Sequence, residues 1–283
     1  MRAVRRILFA LIVLLPLTAQ AQVFWSLTDE AGRQNWLLGT VHSEDPRLLD
    51  WPEPLVDALQ QADRLALELV PNAAVLERLQ QAMMFRDGRL SEVLDEDLYA
   101  RVVELLVTHY GLTETAVDRM RPWAVAVTLA TPPPETGMFM DLMLSVRAQG
   151  AGADVVALET FDEQIGFLTG FAPEEQIALI RQAVSDHERQ LEIFERLIAA
   201  YLDGDLERLA RLAESQMDGL PEPVIAHFNE AGLAARNRRM LERAEPWLES
   251  GGLIIAVGAL HLPGEEGLVA MLRERGWILE PVY

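Results

Sequence analysis

Short apolar runs separated by turn chemistry and longer helical stretches set the first picture of this chain. Val23-Phe24-Trp25-Ser26-Leu27 and Asn35-Trp36-Leu37-Leu38 read as strands. Asp29-Glu30-Ala31-Gly32 between them is turn chemistry, so the pattern predicts a β-hairpin. Pro52 to Ala62 has helical spacing with Pro in the first turn. Arg64 to Leu69 is a short run of buried-strand length, and Asp154 to Glu159 is another. Between them lies a helix-rich stretch to about Gln149. Within it Ser91 reads as a helix cap, Gly111 as a stop after Leu98 to Tyr110, and Pro132-Pro133-Pro134 as a rigid break. A long helical region spans about Pro173 to Trp247. Strand Leu253 to Val257, helix Glu265 to Arg275 and strand Trp277 to Val282 close the chain. There is no internal repeat at solenoid periods and no low-complexity segment.

Strands alternating with helices imply an α/β fold: a central, mostly parallel sheet with an N-terminal β-hairpin, flanked by helices. The helical stretches at about 71–150 and 161–248 read as large insertions in a single domain over residues 22–283. Such sheets place their sites beyond the carboxyl ends of the strands.

The strand ends carry the candidate chemistry. The second hairpin strand runs into Gly39-Thr40-Val41-His42, and the strand near residue 255 into Gly258-Ala259-Leu260-His261. The two other buried strands end in Glu68 and Glu159. Neighbouring strands would bring all four side chains to one edge. Imidazoles and carboxylates together suit Zn, Mn, Fe or Co, and a two-His site leaves positions for water. The metal would activate that water while a nearby Glu acts as base. Gly39 and Gly258 would allow close backbone approach or an unusual φ. His109, His187 and His227 lie in contexts that favour structural roles, His109 at a helix end. Met138, Met140 and Met143 read as core packing.

Composition narrows this chemistry. The sequence has no Cys, and each of its 24 Lys+Arg positions is Arg. Thiol nucleophiles, disulfides, Fe–S clusters, Schiff bases and phosphate-loop lysines are therefore excluded. No Gly-x-Ser-x-Gly elbow or His-Glu-x-x-His helix occurs. A net charge of -20 disfavours nucleic acid and anionic membrane surfaces as partners.

The N-terminus reads as a secretory signal peptide over residues 1–21. Arg2, Arg5 and Arg6 precede the apolar run Ile7 to Leu17, and Ala19-Gln20-Ala21 is a small-x-small cleavage pattern. The run is too short to span a bilayer. No Cys follows for a lipid anchor. Cleavage removes three Arg and no acid, taking the charge from -20 to -23. The expected location is periplasmic or secreted, with no membrane anchor remaining, and the absence of Cys fits an oxidising compartment.

These residues resemble the TraB/GumN family. The resemblance rests on Trp36-Leu37-Leu38-Gly39-Thr40-Val41-His42, Leu65-Ala66-Leu67-Glu68, Pro122-Trp123 and Val156-Ala157-Leu158-Glu159-Thr160 with Gln164. Arg236-Asn237 and Val257-Gly258-Ala259-Leu260-His261-Leu262-Pro263-Gly264 complete it, in the family's order over nearly the whole mature chain. The family is similar to the Tiki metalloproteases and more distantly to erythromycin esterase and ChaN-like proteins. The resemblance implies an active centre of His42, Glu68, Arg236 and His261, with Glu159 a further recurrent residue and a divalent ion such as Mn or Co. On this basis His42, His261 and Glu159 are candidate metal ligands. Glu68 is a ligand or base, and Arg236 an oxyanion or substrate-carboxylate binder. Gly39, Gly258 and Asn237 support the site. The expectation is an exported hydrolase dependent on Mn, Co or Zn, acting on peptide or related amide or ester bonds. The alternatives are a non-catalytic protein that sequesters a peptide or small ligand on the same fold, and haem or metal binding by analogy with ChaN.

Overall fold

A computed structural model describes residues 23–283, so the expected signal peptide lies outside the described residues. Strands β1 (Phe24–Thr28), β2 (Gln34–Thr40), β3 (Arg64–Leu67), β4 (Asp154–Ala157), β5 (Leu253–Gly258) and β6 (Ile278–Pro281) form one six-stranded sheet. Their order is β4-β3-β5-β2-β1-β6. The hairpin pairs Ser26 with Trp36 in antiparallel register. The pairs β2–β5, β3–β5 and β3–β4 are parallel, which makes the sheet mostly parallel as expected. Burial on both faces explains the nearly continuous apolar runs of β3 and β5. Buried Asn35 fixes one end of the sheet: its amide donates to the Leu248 carbonyl, and its oxygen accepts from Leu253 N–H.

Register decides the site. Thr40 lies opposite Gly258, and Leu67 lies opposite both Ala256 and Ala157. The residues after these positions therefore leave the sheet along one edge. β4 corrects an expectation: it is an edge strand with Asp154 and Ala157 exposed, not a buried one. An edge position leaves one side of its backbone uncovered by a neighbour.

The inserted helices largely build a second apolar cluster. Leu98, Val102 and Leu106 of the helix Glu96–Tyr110 pack there with Trp123, Val125 and Ile180. That helix is capped by Asp95, whose carboxylate accepts from Leu98 N–H; Ser91 lies earlier, in the short turn Leu90–Glu92. Gly111 ends the helix at φ 67°, as expected. Met140 is buried, whereas Met138 is exposed because it precedes the helix Met140–Ala151 rather than facing the core from it. The stretch 173–247 is a series of helices divided at Gly204 and Gly219, both at positive φ. Among the described residues no helix is long and apolar enough to cross a membrane.

Candidate active site

Glu68 is the first residue beyond β3. One carboxylate oxygen accepts from Gly258 N–H at 2.7 Å, which ties β3 to the end of β5. The other accepts from Arg236 Nη2 at 2.5 Å and from Gln164 Nε2 at 3.1 Å. Burial opposes its charge, but His261 in its protonated form, the Arg236 guanidinium and the Gly258 N–H together outweigh this and hold the carboxyl below its ordinary range.

Arg236 reaches the same place from the helix Ala235–Leu248. Its Nε donates to both Glu159 oxygens at 3.0 Å, and Nη2 donates to Glu159 at 2.5 Å. The Glu159 side chain is fully buried. Two carboxylates thus flank one guanidinium, whose planar fork suits this double contact. Arg239 stands 3.9 Å from Glu159 on the outer side.

The helix follows a π-helical turn, Phe228–Ala234. Such turns occur mostly as single-turn insertions, often at functional sites. Here the turn carries Gly232, whose carbonyl accepts from Arg236 Nη1 at 3.4 Å. A Cβ at Gly232 would lie 2.8 Å from the Phe167 ring, so glycine lets this turn press against the helix Phe161–Thr169.

His261 closes the cluster. After β5 the chain makes a short 3-10 turn, Ala259–His261, which folds the imidazole back into the protein. Asn237 holds it from two sides. Its amide nitrogen donates to the His261 and Glu266 carbonyls, so its oxygen is the acceptor 2.7 Å from His261 Nδ1. That assigns the proton to Nδ1 and leaves a lone pair on Nε2. Nε2 lies 3.7 Å from Glu68 Oε1. Burial lowers the imidazole pKa to about 4, against the pull of Glu68 and with Arg236 adding to the depression.

The two glycines act through close approach. A Cβ on Gly258 would stand 3.2 Å from Glu68 Oε1, and one on Gly39 would stand 3.0 Å from Ala259 Cα. Neither has a positive φ.

Of the expected centre, Glu68, Glu159, Arg236, Asn237 and His261 come together. His42 takes a different setting. Beyond β2 the chain leaves as coil, and the His42 side chain is 72% exposed. Its Nδ1 faces Asp141 at 3.7 Å and its ring packs on Phe139 at 4.2 Å between centroids. Thr40 Oγ1 donates to the same Asp141. Gln164 was legible only as part of the family pattern, and Asp141 carried no local signal because its partners lie about a hundred residues away. Among the described residues no group of three His, Asp or Glu is gathered to hold a metal.

The fold and cluster define an α/β protein whose polar centre sits on parallel strand ends, joined by an arginine from an inserted helical segment. The chain belongs to the TraB/PrgY/gumN family, whose sequence model matches residues 23–281. It is 24% identical to an uncharacterized protein of Treponema pallidum, over 90% of this chain and 81% of that one. It is also 24% identical to the uncharacterized protein YbaP of Shigella flexneri, over 87% and 90% of the two chains. No solved structure gives a significant match.

Proposed function

We propose that this protein is an exported hydrolase of peptide or related amide or ester bonds, working at the His261–Glu68 pair. One observation carries the reading. His261 Nε2 and Glu68 Oε1 are both acceptors, are 3.7 Å apart and are mostly shielded from solvent. Two lone pairs so placed repel unless a donor or cation lies against them, and a water can serve both.

In this reading Nε2 takes a proton from the water as its oxygen attacks the substrate carbonyl. The imidazolium then returns that proton to the departing amine or alkoxide. Glu68 orients the water and stabilises the transient imidazolium. Arg236, with most of its donors committed to the two carboxylates, is a positioning residue that keeps Glu68 ionised. Asn237 fixes the tautomer.

Divalent-ion chemistry, which the family resemblance implies, would draw on Nε2 and Oε1. A catalytic site of that kind uses about three protein ligands. Here His42 faces Asp141, and Glu159 is committed to Arg236. The described donors do not make up a complete centre, and no step above runs through an ion.

The test is turnover of a defined peptide mixture by the mature protein, read by mass spectrometry with chelator and with Mn, Co or Zn added. Cleavage lost in His261→Ala supports the reading. Absence of cleavage under every condition overturns it in favour of a sequestering protein.

A further inference from the structure

The donors around Glu68 can be counted, because an ionised carboxylate has about four acceptor directions, two on each oxygen. Oε2 accepts from Arg236 Nη2 and from Gln164 Nε2, which fills it. Oε1 accepts from Gly258 N–H, which leaves it one open direction, and His261 Nε2 stands 3.7 Å from that atom. Gln164 is the one of these donors that no step above uses. Its amide is oriented by its partner: a carboxylate only accepts, so the group facing Glu68 is the NH2 and not the carbonyl. The helix Phe161–Thr169 holds that amide in place. Thr160 and Glu163 close its first turn with a reciprocal cap. Arg243 donates to both Glu163 oxygens at 2.7 and 2.8 Å and to the Leu158 carbonyl at 2.7 Å. The residue beside Gln164 is thus clamped to the helix Ala235–Leu248, which also carries Arg236. Both donors to Oε2 come from helices tied to each other.

We propose that Gln164 is a positioning residue for the hydrolysis: by taking the second acceptor direction of Oε2 it leaves Glu68 one open acceptor, on Oε1, and so confines the reacting water to the place between Glu68 and His261. The assignment rests on reading that pair as a hydrolytic site. Without the amide, Oε2 would draw a water of its own, and the carboxylate would be freer to turn about its last bond, whose torsional wells are broad. A second guanidinium in place of the amide would fill the same direction but add a charge, weakening the hold of Glu68 on a transient imidazolium. A neutral donor fixes the geometry without that cost.

The experiment is steady-state peptide turnover by the mature protein and its Gln164→Met variant, which keeps the length of the side chain and removes the donor. The value of kcat should fall about tenfold, the worth of one hydrogen bond. KM should stay unchanged, because no substrate contact is lost. In a Glu68→Gln background the same substitution should change kcat by less than about twofold, since it acts only through the carboxylate. If Gln164→Met lowers the urea midpoint, the comparison of the two backgrounds decides, because a folding defect acts on both. Equal losses in the two backgrounds mark a purely structural role and overturn the proposal. Wild-type kcat in Gln164→Met, with turnover lost in His261→Ala, overturns it while the hydrolytic reading stands. Absence of turnover by the wild type overturns that reading and this proposal with it.

Discussion

His42 and His261 end the same Gly-x-x-His pattern, yet one is exposed and the other is 3% exposed. The difference lies in the residues that follow. A tight turn after β5 brings His261 back under Asn237, whereas coil after β2 carries His42 outward. Local sequence showed that polar groups sit on strand ends. It did not show which way the chain turns afterwards, because the holding groups come from distant segments. Two predictions belong to this scale. Glu159→Ala leaves Arg236 paired with Glu68 alone and its buried Nε without an acceptor, and should cost about 1–3 kcal/mol in urea unfolding, with the Arg236→Ala double variant losing less than the sum of the singles. The second concerns pH. His261 titrates near 4 in the folded state, against about 6.5 unfolded. As pH falls below 6.5 the unfolded chain gains a proton that the folded chain lacks, so stability drops by on the order of 3 kcal/mol down to pH 4 and is unaffected above 6.5. Glu68, held below its ordinary value, adds to the acid-side loss as pH falls through its folded pKa. His261→Asn should show a visibly flatter urea-midpoint profile over that interval.

At the scale of elements, the hairpin and the parallel strands were legible because apolar runs and turn residues agree locally. β4 was misread as buried because a short apolar run looks the same at an edge as in the centre. The π-helical turn was not legible, since the contact that needs glycine in it, Gly232 against Phe167, joins residues far apart in the chain. Gly232→Ala should therefore cost about 1–3 kcal/mol and lower any turnover by displacing Arg236. Pairing it with Phe167→Leu should recover part of that loss. Equal thermal midpoints for Gly232→Ala and the wild type would contradict this account of the turn.

For the whole molecule, composition told more about excluded chemistry than about shape. Amphipathic spacing shows that a helix has an apolar face but not which cluster receives it, so the separate core around Trp123 and Leu106 emerged only in three dimensions. The acid excess has its own consequence. Self-repulsion at a net charge of -20 should make the folded state more stable as salt rises from low ionic strength, seen as an increasing thermal midpoint. The central claim is that His261 and Glu68 together form a hydrolytic site. The most direct measurement is peptide turnover by the wild type, His261→Ala and Glu68→Gln at matched folded fraction. The wild type should cleave, and each variant should fall by about a hundredfold or more. Cleavage at the wild-type rate by either folded variant would contradict the claim.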